Sequence, residues 1–102
     1  MIETPIIERI DADLEELMER FFAGSHREVE AMRAALAEGD FTALARLGHT
    51  AKGTGYGYGF RGMGHIGLAL ESAALAKDHA ESISQVERMA RYLATVRVEY
   101  IR

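Results

Sequence analysis

Cysteine is absent from this chain of 102 residues, which excludes a disulfide framework and a thiolate metal site. Basic residues are outnumbered, 12 Lys and Arg against 16 Asp and Glu, for a formal net charge of −4. That balance argues against nucleic acid, whose phosphates would be repelled. No apolar run approaches the roughly 20 residues of a membrane span. The first residues include acidic side chains and lack the basic-then-apolar order of a signal peptide. Proline occurs once, at Pro5, directly after Thr4, an order that reads as an N-cap followed by proline at the first helical position. What remains is 48% hydrophobic and 27% charged, a globular balance sufficient for one small core. The expectation is one domain spanning residues 1–102, cytoplasmic and monomeric.

Apolar periodicity is helical along most of the chain. Leu14, Leu17, Met18 and Phe21 recur at spacings of three and four, so a first helix is expected from Pro5 to Ala23. Gly24 and Ser25 interrupt the pattern, and Ser25 with Glu28 forms an S-x-x-E capping box for a second helix. Val29, Met32, Ala35 and Leu36 share a face of that helix, and Gly39 suits its C-cap. Asp40 caps a third helix, and a fourth runs from about Gly62 to Lys77. Asp78 with Glu81 caps the last, with a stripe of Val86, Met89, Leu93, Val96 and Tyr100. Connections are short and no strand is required. The predicted fold is all-α, an antiparallel four-helix bundle with a short extra helix allowed at its N-terminus.

The stretch "GHTAKGTGYGYGF", residues 48–60, carries five glycines, each costing about 1 kcal/mol relative to alanine inside a helix. Alternation in Tyr56-Gly57-Tyr58-Gly59-Phe60 mimics a strand, but a lone strand in a helical chain has no partner. Dinucleotide and P-loop readings fail on glycine spacing and on the missing strand ahead of it. Projected as a helix at about 100° per residue, the stretch puts Leu44, Leu47, Ala51, Gly55 and Tyr58 on one stripe. His49 falls nearly opposite, with Gly53 and Tyr56 beside it and Lys52 at its flank. The inner stripe faces the core, and Gly55 there permits close helix packing. The outer face keeps room beside His49, because a larger residue than Gly53 would crowd an approaching surface.

"HTAKGTGYGYGF" resembles the signature of histidine phosphotransfer (HPt) domains, in the manner of the small stand-alone bacterial members. His49 matches the phosphoacceptor, Lys52 and Gly53 match the K-G pair, and Gly59 matches the later glycine. Ala51 stands where an aliphatic residue is commoner. "AEGDFTALARLGH" and "IGLALESAA" resemble the flanks, so the likeness spans roughly residues 10–100. The resemblance implies a phosphocarrier, not an enzyme with its own turnover, exchanging a phosphoryl group between His49 and an aspartate of a response-regulator receiver domain in a two-component phosphorelay. A hybrid histidine kinase is a further implied partner. No cofactor is expected on this chain; Mg2+ is expected on the receiver, and nothing in the sequence resembles an ATP site. Neutral imidazole is a good nucleophile near pH 7, and Lys52 can offset phosphoryl charge. Gly53 and Tyr56 belong to the implied docking face.

Glu71 matches a family position near the histidine, where a carboxylate can fix the ring tautomer; it reads equally as a surface acid. Tyr58, and Tyr56 apart from its place on the docking face, read as packing residues. His26, His65 and His79 have no motif and read as structural or exposed. Bundles can bind metals through Glu-x-x-His motifs, and none occurs here. The alternative function is an adaptor that binds a receiver or kinase without accepting phosphate.

Overall fold

A computed structural model describes residues 5–102. In chain order it contains strand β1 (Ile7–Asp11), a 3-10 helix (Ala12–Leu17), helices α1 (Met18–Glu38), α2 (Phe41–Tyr58), α3 (Arg61–Leu75) and α4 (His79–Thr95), and strand β2 (Arg97–Ile101). The four helices form the predicted antiparallel bundle, and the turns between them use the expected residues. Gly39 closes α1 in the left-handed region at φ 67°. Asp40 and Asp78 cap α2 and α4, each through a carboxylate oxygen accepting from the backbone N–H three residues on. The Tyr56–Phe60 alternation is indeed not a strand; α2 continues through Tyr58 and ends on Gly59 at φ 94°. Among the described residues, no helix is long and apolar enough to cross a membrane.

The structure corrects three expectations. Gly24 and Ser25 do not break the chain: α1 runs through both, and the Ser25 capping box does not form. Met18, Phe21, Val29, Met32 and Ala35 stay in phase and are all buried, so core packing outweighs the local helix weakness of glycine and serine. The last helix stops at Thr95, and Val96 turns to extended backbone. Tyr100 therefore continues the apolar stripe only as a half-buried residue of β2. The N-terminal helix is replaced by β1 and the 3-10 helix, and the Thr4 cap lies outside the described residues. Strands were not anticipated, yet β1 and β2 pair in parallel, Ile7 opposite Arg97 through Asp11 opposite Ile101. Period two accounts for β1: Glu8 and Ile10 point inward while Ile7, Arg9 and Asp11 face outward. Its partner is about 90 residues away in sequence, a separation that local periodicity does not register.

Glu8 fastens this strand to the bundle. Glu8 is 5% exposed, and its carboxylate Oε2 accepts from the Gly62 N–H at 2.7 Å and from the Tyr92 hydroxyl at 2.6 Å. Gly62 lies in the first turn of α3, whose N-cap residue Phe60 offers no side-chain cap, so the carboxylate meets the positive end of the helix dipole. A side chain at Gly62 would collide with the Tyr92 ring, its Cβ falling 2.5 Å from Cε2. Burial, then the hydrogen bond to Glu8, pushes the Tyr92 hydroxyl far above its ordinary titration range, so it remains a donor. Tyr92→Phe removes one donor and leaves the ring. It should lower stability by about 1–2 kcal/mol, a fall in Tm of roughly 5–15 °C for a domain of this size. An unchanged melting curve would mean that this bond contributes nothing.

Candidate functional site

Helix α2 buries Leu44, Ala45, Gly48, Ala51 and Gly55 and turns His49 outward, with 65% of its side chain exposed. The opposite wall comes from α3. Glu71 reaches back toward α2 and joins two of its residues: Oε2 lies 2.7 Å from His49 Nδ1, and Oε1 accepts from Lys52 Nζ at 2.9 Å. The three side chains predicted to carry phosphoryl chemistry thus form one hydrogen-bonded cluster.

Glycine makes this reach available. A Cβ at Gly48 would stand 2.7 Å from the Glu71 backbone nitrogen, and one at Gly67 would stand 2.5 Å from the Lys52 nitrogen. Backbone therefore meets backbone at the two residues that carry the site. Gly55 repeats the contact farther along, with its notional Cβ 2.5 Å from the Gly64 nitrogen. The close-packing role expected of Gly55 holds, and Gly48, Gly64 and Gly67 share it. Their signal in the sequence was small residues at matching turns of two successive helices.

Lys52, first through its hydrogen bond, holds the Glu71 carboxyl below the ordinary value of 4.5; partial burial opposes this and His49 adds to it. A carboxyl whose pKa is depressed by folding contributes stability above its unfolded value, and that contribution is lost as the pH falls through the lower folded value. The cluster therefore persists through neutral pH and dissolves in acid. An ionised carboxylate only accepts hydrogen bonds. Nδ1 accordingly carries a proton toward Glu71, and Nε2 lies on the far side of the ring, where the neutral tautomer holds its lone pair.

Gly53 lies one turn beyond His49, and a Cβ added there would meet nothing within 4 Å. Tyr56 is 44% exposed. Its ring covers Gly64, where any side chain would collide with it, and meets the His65 ring edge-on at 5.7 Å. Tyr56 is both a packing residue and part of the outer face. Tyr58 packs inward, 4.8 Å from the Phe21 ring. Exposed His26 lies elsewhere on α1, and His79 meets Phe41 edge-on at 6.1 Å; neither these two nor His65 joins the Glu71 cluster. Leu68 and Leu75, one turn to either side of Glu71 on α3, are 44% and 71% exposed. Sequence reading had not singled them out, since two leucines on a bundle helix are ordinarily core.

The chain is thus a helical bundle that bears an exposed histidine mid-helix, hydrogen-bonded to an acid on the next helix and flanked by a lysine. The family model for the Hpt domain matches residues 16–99, and the chain belongs to that family. Hpt domains are histidine phosphotransfer modules of two-component signalling, phosphocarriers that work with receiver domains and histidine kinases. No curated protein and no solved structure gives a significant match.

Proposed function

We propose that His49 carries a phosphoryl group on Nε2, taken from or passed to the aspartate of a receiver domain in a phosphorelay. The observation that carries this reading is the contact of Glu71 with His49 Nδ1 at 2.7 Å, which leaves Nε2 as the exposed nucleophile. In the accepting direction, the Nε2 lone pair attacks phosphorus. The N–P bond forms as the P–O bond to the aspartyl carboxylate breaks, and the carboxylate leaves with the electron pair. Nδ1 keeps its proton throughout, and the resulting imidazolium charge faces Glu71. Transfer in the other direction restores neutral imidazole, so the carrier needs no proton donor in either direction. Mg2+ belongs to the receiver, beside its aspartate. The docking face comprises Gly53 and Tyr56 on α2 with Leu68 and Leu75 on α3, apolar groups around a charged centre. The chain works as a single cytoplasmic, monomeric domain of residues 1–102.

An adaptor that binds a receiver without accepting phosphate has no use for an oriented nucleophile. Incubation with phosphorylated receivers separates the two readings: a carrier acquires an acid-labile, base-stable phosphoryl group, whereas an adaptor binds and stays unmodified. Lys52→Ala should slow transfer or shorten the phosphohistidine half-life by about tenfold, and should lower stability modestly, because the part-buried hydrogen bond to Glu71 is lost with it. Lys52→Arg should retain part of the function, keeping charge but altering geometry. Equal rates and half-lives for wild type and Lys52→Ala would reduce Lys52 to a structural partner of Glu71.

A further inference from the structure

We propose that Arg46 is a catalytic residue that binds the phosphoryl group on His49, an inference that rests on His49 being the acceptor. Helical geometry places positions three residues either side of His49 about 60° to its left and right. Lys52 occupies one of these, on the α3 side, and Arg46 the other, toward α1. The two cations are not equivalent. Lys52 is already bonded to Glu71 at 2.9 Å. Arg46 is exposed, and among the described residues its side chain has no ion pair or hydrogen bond.

The direction of the imidazole decides which cation the phosphoryl group meets. Nδ1 is turned to Glu71 on the α3 side, and Nε2, across the ring, points away from α3. A phosphoryl group on Nε2 is thus delivered away from the Glu71 carboxylate, which would repel it, and toward the flank where Arg46 stands. The space on that flank is kept open by Gly53, and Gly57 likewise has nothing within 4 Å of its notional Cβ. A guanidinium presents a planar fork of donors suited to two phosphoryl oxygens. Arg46 lines a groove between α1 and α2 together with two acidic residues, Glu38 and Asp40. Neither pairs with it, and one Asp40 carboxylate oxygen is already occupied by the Ala43 N–H. During transfer the guanidinium meets the equatorial phosphoryl oxygens as the bond to Nε2 forms and the bond to the acyl oxygen breaks, with no proton moved.

The test uses the intact chain and phosphoramidate, a small donor that phosphorylates histidine without a receiver. Phosphorus NMR follows the rate of phosphohistidine formation and the pH at which the phosphoryl group loses its last proton. Arg46→Ala should raise that pKa by about 0.5 unit, since a neighbouring cation favours the dianion, and should slow formation about tenfold. Arg46→Lys should keep the pKa near wild type while losing part of the rate. Alanine at an exposed helical position leaves the fold intact, which a melting curve checks. A pKa and rate unchanged in Arg46→Ala would overturn the assignment while leaving His49 as acceptor. A wild-type chain that forms no phosphohistidine with either phosphoramidate or phosphorylated receivers would overturn both.

Discussion

His49→Gln should abolish phosphorylation while leaving the bundle folded. The imidazole is turned outward from α2, 65% exposed, so the core loses little when it is replaced. Glutamine lacks the nucleophilic ring nitrogen but can still donate to the freed Glu71 carboxylate, and Glu71 keeps its bond to Lys52 at 2.9 Å. The melting temperature should therefore move by no more than a few degrees, whereas phosphoryl incorporation falls below detection. Among the described residues, His26, His65 and His79 have no carboxylate partner of the kind His49 has in Glu71, and they should not take its place. Incorporation persisting at wild-type level in this variant would move the acceptor elsewhere.

Gly55→Ala and Gly53→Ala, two residues apart on one helix, should change stability in opposite directions. A Cβ at Gly55 would lie 2.5 Å from the Gly64 nitrogen and 3.0 Å from the Met63 carbonyl carbon. Backbone cannot yield as a flexible side chain can, so α3 must move outward. Such overpacking costs about 1–3 kcal/mol or more, exceeding the roughly 1 kcal/mol that alanine gains in a helix, and Tm should fall by as much as about 15 °C. The displacement also draws Glu71 away from His49, so the Nδ1 proton should exchange faster in the folded variant. At Gly53 the added methyl meets nothing within 4 Å, leaving only the helix-propensity gain of about 0.5–1 kcal/mol and a Tm a few degrees higher. Destabilisation of similar size at both positions would contradict the division of α2 into a packed and an open face.

The sequence made the central part of the molecule legible because the signals there are local. Asp40, Asp78 and Gly39 mark helix ends through interactions spanning a few residues. His49, Lys52 and Gly53 share a face by helical spacing alone. Glu71 was different: its approach to His49 depends on how closely α3 lies against α2, and that distance is set by Gly48 and Gly67 together. A glycine seen singly reads as a weak helix position, and only the pair shows a close contact. The ends of the chain were misread for a related reason. Leu14, Met18 and Phe21 carry a helical period, and the same count extended backward absorbs Ile7 and Ile10. What makes residues 7–11 a strand is β2 beside them and the buried bonds of Glu8 to Gly62 and Tyr92, contacts between residues far apart in sequence. At Gly24 and Ser25 the local signal was present, and the core stripe from Met18 to Ala35 overrode it.

Nitrogen–phosphorus correlation NMR on the phosphorylated, 15N-labelled chain tests the account most directly, because it identifies both the residue and the ring atom that carry the phosphoryl group. The account predicts a single phosphorus coupled to Nε2 of His49, with a proton retained on Nδ1 facing Glu71. Phosphorus coupled to Nδ1, or to the ring of His26, His65 or His79, would contradict it.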